Sequence, residues 1–193
     1  MTKETVILII MGLILGVLIA PVFTPIMPWG GRTMGSQIDS HFIEQMIPHH
    51  EDAITMANLA STRAEHLEIK TLSTDIIKAQ SEEIDQMKQW YESWFGNETP
   101  NLNSSMGHGM GMGMHGGMMG NETDIKTLEN AKPFDKEFIE QMIPHHQMAV
   151  MMAQMLLRGT TRPEMKQLAE NIISAQTKEI NQMREWYSTW YGN

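Results

Sequence analysis

Phe42-Ile43-Glu44-Gln45-Met46-Ile47-Pro48-His49-His50 returns, letter for letter, as Phe138–His146. The offset is 96 positions (138 − 42) and holds without a gap to the end of the chain. Trp90-Tyr91 recurs as Trp186-Tyr187, Trp94 as Trp190, and Gly96-Asn97 as Gly192-Asn193. The chain is therefore a tandem duplication, each unit led by a Met, a Pro and two adjacent His.

Working outward from this stretch, each unit carries two helical patterns. The first spans about Asp39 to Ala60. The second is expected to start near Thr62, where Thr62-x-x-Glu65 has the form of a capping box, and to run to about Phe95. Its apolar positions Leu72, Ile76, Ile84, Met87, Trp90/Tyr91 and Trp94 keep the rhythm of one helix face. Gly96-Asn97 supplies a stop. In the second unit Gly159 ends the first helix, and Thr161-x-x-Glu164 with Pro163 in the first turn begins the next. Strand patterns are absent. Two such hairpins cover each other's apolar faces, so the expected fold is all-α, a four-helix bundle made of two duplicated helical hairpins. Pairing of each hairpin with one from a second chain is the alternative, which leaves an oligomer open.

Val6 to Phe23 carries no charged residue. That run is long enough to cross the hydrocarbon core of a bilayer. It has no A-x-A cleavage site, and Pro21 follows Ala20. The expectation is an uncleaved, single-pass anchor over residues 1–27 in the cell membrane, with the rest outside the cytoplasm. Residues 28–38 read as a linker, 39–97 as the first repeat, 98–134 as a second linker and 135–193 as the second repeat. That second linker contains Met106–Met119, M-G-H-G-M-G-M-G-M-H-G-G-M-M. Its glycines prevent helix and strand from persisting. An inert tether does not call for Met and His, so this segment is a candidate soft-metal arm as well as a flexible connection.

Composition narrows the chemistry. The 193 residues include 20 Met, 8 His and no Cys, with a net charge of −9. Without Cys there is neither a disulfide framework nor a thiolate site. Without clustered Lys and Arg, nucleic acid is not a partner. Thioethers are soft neutral ligands that select Cu(I), and by extension Ag(I), while imidazole suits both copper states. Copper is thus the expected metal, with Cu(I) ahead of Cu(II).

The candidate ligands are Met46, His49, His50 and Met56 in the first unit and Met142, His145, His146, Met148 and Met152 in the second. In the linker they are His108, Met110, Met112, Met114 and His115. On a helix, Met46, His49, Ala53 and Met56 share a face, while His50 diverges from His49 by about 100°. One His of each pair can therefore face the core while the other faces a partner helix. Met151 and Met155 lie on or beside the second stripe. Pro48 removes a backbone bond and crowds the carbonyl of Glu44, so a kink or restart is expected there.

The plainer readings stand beside these. A Met at helical spacing fills cores, and the Trp90/Tyr91/Trp94 and Trp186/Tyr187/Trp190 groups read as bundle packing. The Glu82, Glu83, Glu92 run reads as a solvated face. A di-iron carboxylate enzyme needs Glu-x-x-His on two helices, and no E-x-x-H occurs; Glu44, Glu140, Glu83 and Glu179 are its scattered candidates. A helical interaction module without metal, displayed at the membrane, is the remaining alternative. Nucleophilic hydrolysis has no candidate residues, and the chain reads as a binding protein, not an enzyme.

The F-I-x-x-M-I-P-H-H-x-x-A-x-x-M-A segment, followed by A-Q-x-x-E-I-x-x-M and W-Y-x-x-W, resembles the bacterial family called domain of unknown function 305, a ferritin-like helical family. The resemblance covers Asp39–Asn97 and Asp135–Asn193. The family's better-described members are similar to periplasmic copper-binding four-helix bundles with Met and His ligands. This implies binding roles for Met46, His49, His50, Met56, Met142, His145, His146 and Met152. It leaves the apolar N-terminal run and the Met/Gly/His linker outside the shared domain. Buffering of Cu(I), or its exchange with a copper-donating or copper-accepting protein, is the activity expected.

Overall fold

The computed structural model describes residues 34–96 and 125–192. Over these the chain is helical: α1 Met34–Arg63, α2 Leu67–Phe95, α3 Ile125–Asn130, α4 Phe134–Gly159 and α5 Pro163–Tyr191, with no strand among the described residues. The apolar run of residues 6–23 and the Met/His segment 106–119 lie outside the described residues. Among those described, no helix is long and apolar enough to cross a membrane.

α1 packs on α2, α4 on α5, and α1 on α4. The first two pairs are the expected hairpins. The third joins the repeats, and the core shows its sense. One cluster gathers Phe42, Ile43, Met46 and Ile47 from the first half of α1 with Ala149, Met152, Ala153 and Leu156 from the second half of α4. It also holds Ile84, Met87 and Tyr91 of α2 and Met165, Leu168, Ala169 and Ile172 of α5. The other cluster has the reverse composition: Ala53, Met56, Ala57 and Ala60 of α1 with Phe134, Phe138, Ile139 and Met142 of α4. The two leading helices thus run antiparallel, and the repeats are related by an approximate two-fold axis through their middle. Fully buried side chains such as Ile43, Phe138 and Ile139 each contribute roughly 1.5–3 kcal/mol through the apolar surface they remove from water.

Several boundaries differ from the sequence expectation, for physical reasons. α1 begins at Met34, inside the stretch expected to be linker. Residues 125–130, also expected to be linker, form α3 because Leu128 is fully buried against the second cluster. Pro48 and Pro144 interrupt neither helix. The Thr62 capping box does not form: Thr62 Oγ1 donates to the carbonyl of Leu59 inside α1, at 2.9 Å, and α2 starts only at Leu67. The entry to α2 is held from the other repeat. The Asp135 carboxylate accepts the backbone N–H of Glu65 at 3.0 Å and of His66 at 2.8 Å, and meets His66 Nδ1 at 2.6 Å. The stop at Gly96 is as expected, with φ of 71° in the left-handed region that glycine tolerates, and Pro163 opens α5.

The symmetry-related position repeats the Asp135 arrangement with different chemistry. Asp39, fully buried, is met by Arg162 Nε at 3.1 Å. Arg162 occupies the place of His66 (66 + 96). Each of the two side chains also lies on an aromatic ring: His66 stacks at 3.7 Å on Trp190, and the Arg162 guanidinium sits 4.2 Å over Trp94. The tryptophans expected to pack at the bundle ends do so, stacked in pairs as Trp90–Trp94 and Trp186–Trp190.

Candidate metal centre

The two apolar clusters are separated by a polar layer where α1 and α4 cross. His49 and His145 meet there across the two-fold, with ring centroids 3.8 Å apart and planes inclined at 47°. The adjacent pairs splay as helix geometry requires, 6.4 Å between the rings of His49 and His50 and 6.3 Å between those of His145 and His146. His50 and His146 are fully buried and turn toward their own hairpin partners. His50 Nε2 bonds Glu83 Oε2, and His146 Nε2 bonds Glu179 Oε2, each at 2.6 Å.

A carboxylate has no proton to give, so each of these Nε2 atoms is the donor. In the neutral ring this places the lone pair on Nδ1. Those Nδ1 atoms, of His50 and of His146, are buried without a hydrogen-bond partner. So are Nδ1 of His49, both ring nitrogens of His145, and the side-chain oxygens Oε1 of Gln80 and Gln176. Part of His145 reaches the surface, but its nitrogens do not. Buried nitrogens left unpartnered are costly in a purely structural core, and a metal ion is one partner that satisfies them.

The electrostatics keep the central pair neutral. Burial, and then the charges of His50 and His146, lower the His49 pKa from 6.5 to about 3. Burial first, and then the charges of His49, His146 and His50, push His145 well below its ordinary value; the His49 backbone lies close enough to pull the other way, though not in the geometry of a full hydrogen bond to either ring nitrogen. Neutral imidazole is the form that binds metal.

Thioethers border the layer on both sides. Met46 and Met142, one turn before His49 and His145, are fully buried, as is Met56; Met152 is 8% exposed. Met46 and Met152 fall in one cluster, Met142 and Met56 in the other. Each sulfur pair therefore draws one member from each repeat. Met148 is half-buried against the first cluster, while Met151 and Met155 face solvent. Among the described residues no three His, Asp or Glu side chains gather as a metal-holding group by themselves. His108, Met110, Met112, Met114 and His115 lie outside the described residues.

Glu83 belongs to this centre, contrary to its reading as part of a solvated face. The duplication itself carried the signal. Glu83 is kept as Glu179, whereas Glu82 becomes Lys178 and Glu92 becomes Ser188. Gln80 is kept in the same way as Gln176. Glu44 and Glu140, the other carboxylates near the histidines, are engaged elsewhere: they accept the hydroxyls of Tyr91 and Tyr187 at 2.6 Å.

Comparison with known proteins adds chemistry to this geometry. The family DUF305, described as a domain of unknown function, matches residues 39–187 in one stretch across both repeats. CopM in its Cu(II)-bound form is 51% identical, with a TM-score of 0.70 over 79% of this chain and 97% of that one. In its Cu(I)-bound form CopM is 47% identical, with a TM-score of 0.69 over 80% and 98%. An Ag-bound form of CopM, also 47% identical, gives 0.67 over the same shares. Uncharacterized protein L153 of Acanthamoeba polyphaga mimivirus is 47% identical over 49 residues, 25% of this chain; the match spans 32% of that protein's length.

Proposed function

We propose, from the premise that the chain belongs to the DUF305 family, that it is a membrane-anchored, extracytoplasmic copper-binding protein that buffers Cu(I) or delivers it to a partner protein. One observation carries this reading: His49 and His145 meet across the two repeats in a buried layer, each followed by a fully buried histidine whose Nδ1 is unpartnered, with buried thioethers in the clusters on both sides. The likeness to CopM, solved with copper and with silver, supports a copper-related role. A site of neutral imidazole and thioether donors favours the soft monovalent ions, so Cu(I) ranks ahead of Cu(II), and Ag(I) is expected to follow it.

The ligands are His49, His50, His145 and His146 with Met46, Met56, Met142 and Met152. Glu83 and Glu179 orient the outer two histidines and direct Nδ1 inward, the usual role of a carboxylate behind a metal-bound imidazole. Residues 6–23 serve as the anchor. His108, Met110, Met112, Met114 and His115 form a capture arm, and the duplication reads as two tandem copies of the family's ferritin-like hairpin. A di-iron enzyme has less support, because Glu44 and Glu140 are held by tyrosine hydroxyls.

The test is titration of the full chain, in detergent, with Cu(I) against a competing chelator. Saturable binding at micromolar affinity or tighter is expected, and it should be lost from the layer when His49→Ala and His145→Ala are combined. Absence of saturable binding in the wild type ends the proposal.

A further inference from the structure

α4 carries a surface feature that α1, its counterpart, lacks. Met151 and Met155 are 47% and 58% exposed, and with Leu67 they are the large hydrophobic side chains that the described residues leave in solvent. Met148 stands half-buried beside them. The three occupy positions i, i+3 and i+7, which places them within about 60° on the helix surface. They span roughly 10 Å of helix axis at 1.5 Å per residue.

The duplication provides an internal control. Ninety-six positions earlier the same sites hold Asp52, Thr55 and Leu59. The bundle accepts a carboxylate and a hydroxyl at the first two, so packing does not call for Met there. Exposure makes apolar filling a poor reason for Met151 and Met155 as well. Three thioethers on one face supply soft neutral donors, and unbranched side chains with three rotatable bonds let sulfurs from successive turns converge. The row also leads inward. Met152, beside it on the same helix, belongs to the buried cluster that includes Met46, one turn from His49.

We propose that Met148, Met151 and Met155 form an outer soft-metal site on α4 that takes Cu(I) or Ag(I) at the surface and passes it by way of Met152 to the buried histidine layer. The inner destination rests on the copper reading above; the outer site stands or falls separately. It makes the second repeat the loading side of a molecule whose core is otherwise two-fold.

The probe is Ag(I), added in small increments to the full chain in detergent, with each methionine methyl followed by NMR. The Met148, Met151 and Met155 methyls should shift together and resist competition by excess free methionine. Met151→Leu with Met155→Leu should lower the Ag(I) stoichiometry by one and slow the shift of the Met46 methyl, leaving its end point unchanged. The reciprocal triple variant Asp52→Met, Thr55→Met, Leu59→Met should add one ion. If Met46 and Met142 shift while Met148, Met151 and Met155 do not, the outer site is refuted and the buried centre stands. If only the outer methyls shift, the outer site stands and the buried centre fails. Shifts abolished by free methionine, or no shift anywhere, overturn the outer site.

Discussion

His50 and His146 each commit one ring nitrogen to a carboxylate at 2.6 Å and leave the other enclosed without a partner. If those carboxylates set the tautomer, weakening them should weaken the metal and little else. Glu83→Gln with Glu179→Gln keeps shape but lets the ring flip its proton. Cu(I) affinity is expected to fall about tenfold to a hundredfold, read by chelator competition, while the helical circular dichroism spectrum stays unchanged. Unchanged affinity would remove the two glutamates from the centre. The central pair predicts a pH dependence. The folded pKa of His49 lies near 3, below its ordinary 6.5, and His145 is shifted the same way. Between those limits the unfolded chain holds more protons than the folded one, so stability is complete above about pH 6.5 and falls as pH falls. From pH 7 to pH 5 the metal-free protein should lose on the order of 2 kcal/mol from His49 alone. Urea midpoints at the two pH values measure this, and the difference should shrink in His49→Gln with His145→Gln.

At the level of elements, the start of α2 shows how a local signal is overruled. Thr62-x-x-Glu65 has the form of a cap, yet α1 extends through Arg63, and the Thr62 hydroxyl bonds back to Leu59. The backbone groups leading into α2 belong instead to Asp135, which is buried and also pairs with His66. Thr62→Ala should therefore change stability by no more than about 0.5 kcal/mol. Asp135→Asn removes a charged acceptor shared by two backbone donors and a histidine, and should cost about 1–3 kcal/mol. Urea unfolding of the two variants side by side separates the local cap from the one reached across the repeats. A larger loss in Thr62→Ala than in Asp135→Asn would reverse the assignment.

For the molecule as a whole, the candidate centre lies where one repeat meets the other. Asp39 with Arg162 and Asp135 with His66 clasp the two ends of that junction, and the paired imidazoles occupy its middle. An ion bound there would be held by both hairpins, so binding should stabilise the fold as a unit. At a free Cu(I) concentration of a hundred times the dissociation constant the gain is about 2.7 kcal/mol. Thermal unfolding with and without Cu(I) measures it. The gain from the layer should vanish when His49→Ala and His145→Ala are combined.

The sequence by itself determined the all-helical character, the duplication, the helix ends at Gly96 and Gly159, and which His and Met residues were candidates. These are written locally, in apolar periodicity, in glycine's freedom at a helix end, and in a stretch repeated 96 positions on. The tertiary structure alone decided that α1 and α4 cross antiparallel, which sets His49 against His145 and pairs Met46 with the other repeat's Met152. It also decided that Glu83 turns to His50 and Asp135 to α2. Such pairings depend on the register between helices and on burial of the polar atoms at their crossing, where an unpartnered group is costly. Neighbouring residues along one strip of chain carry no record of either.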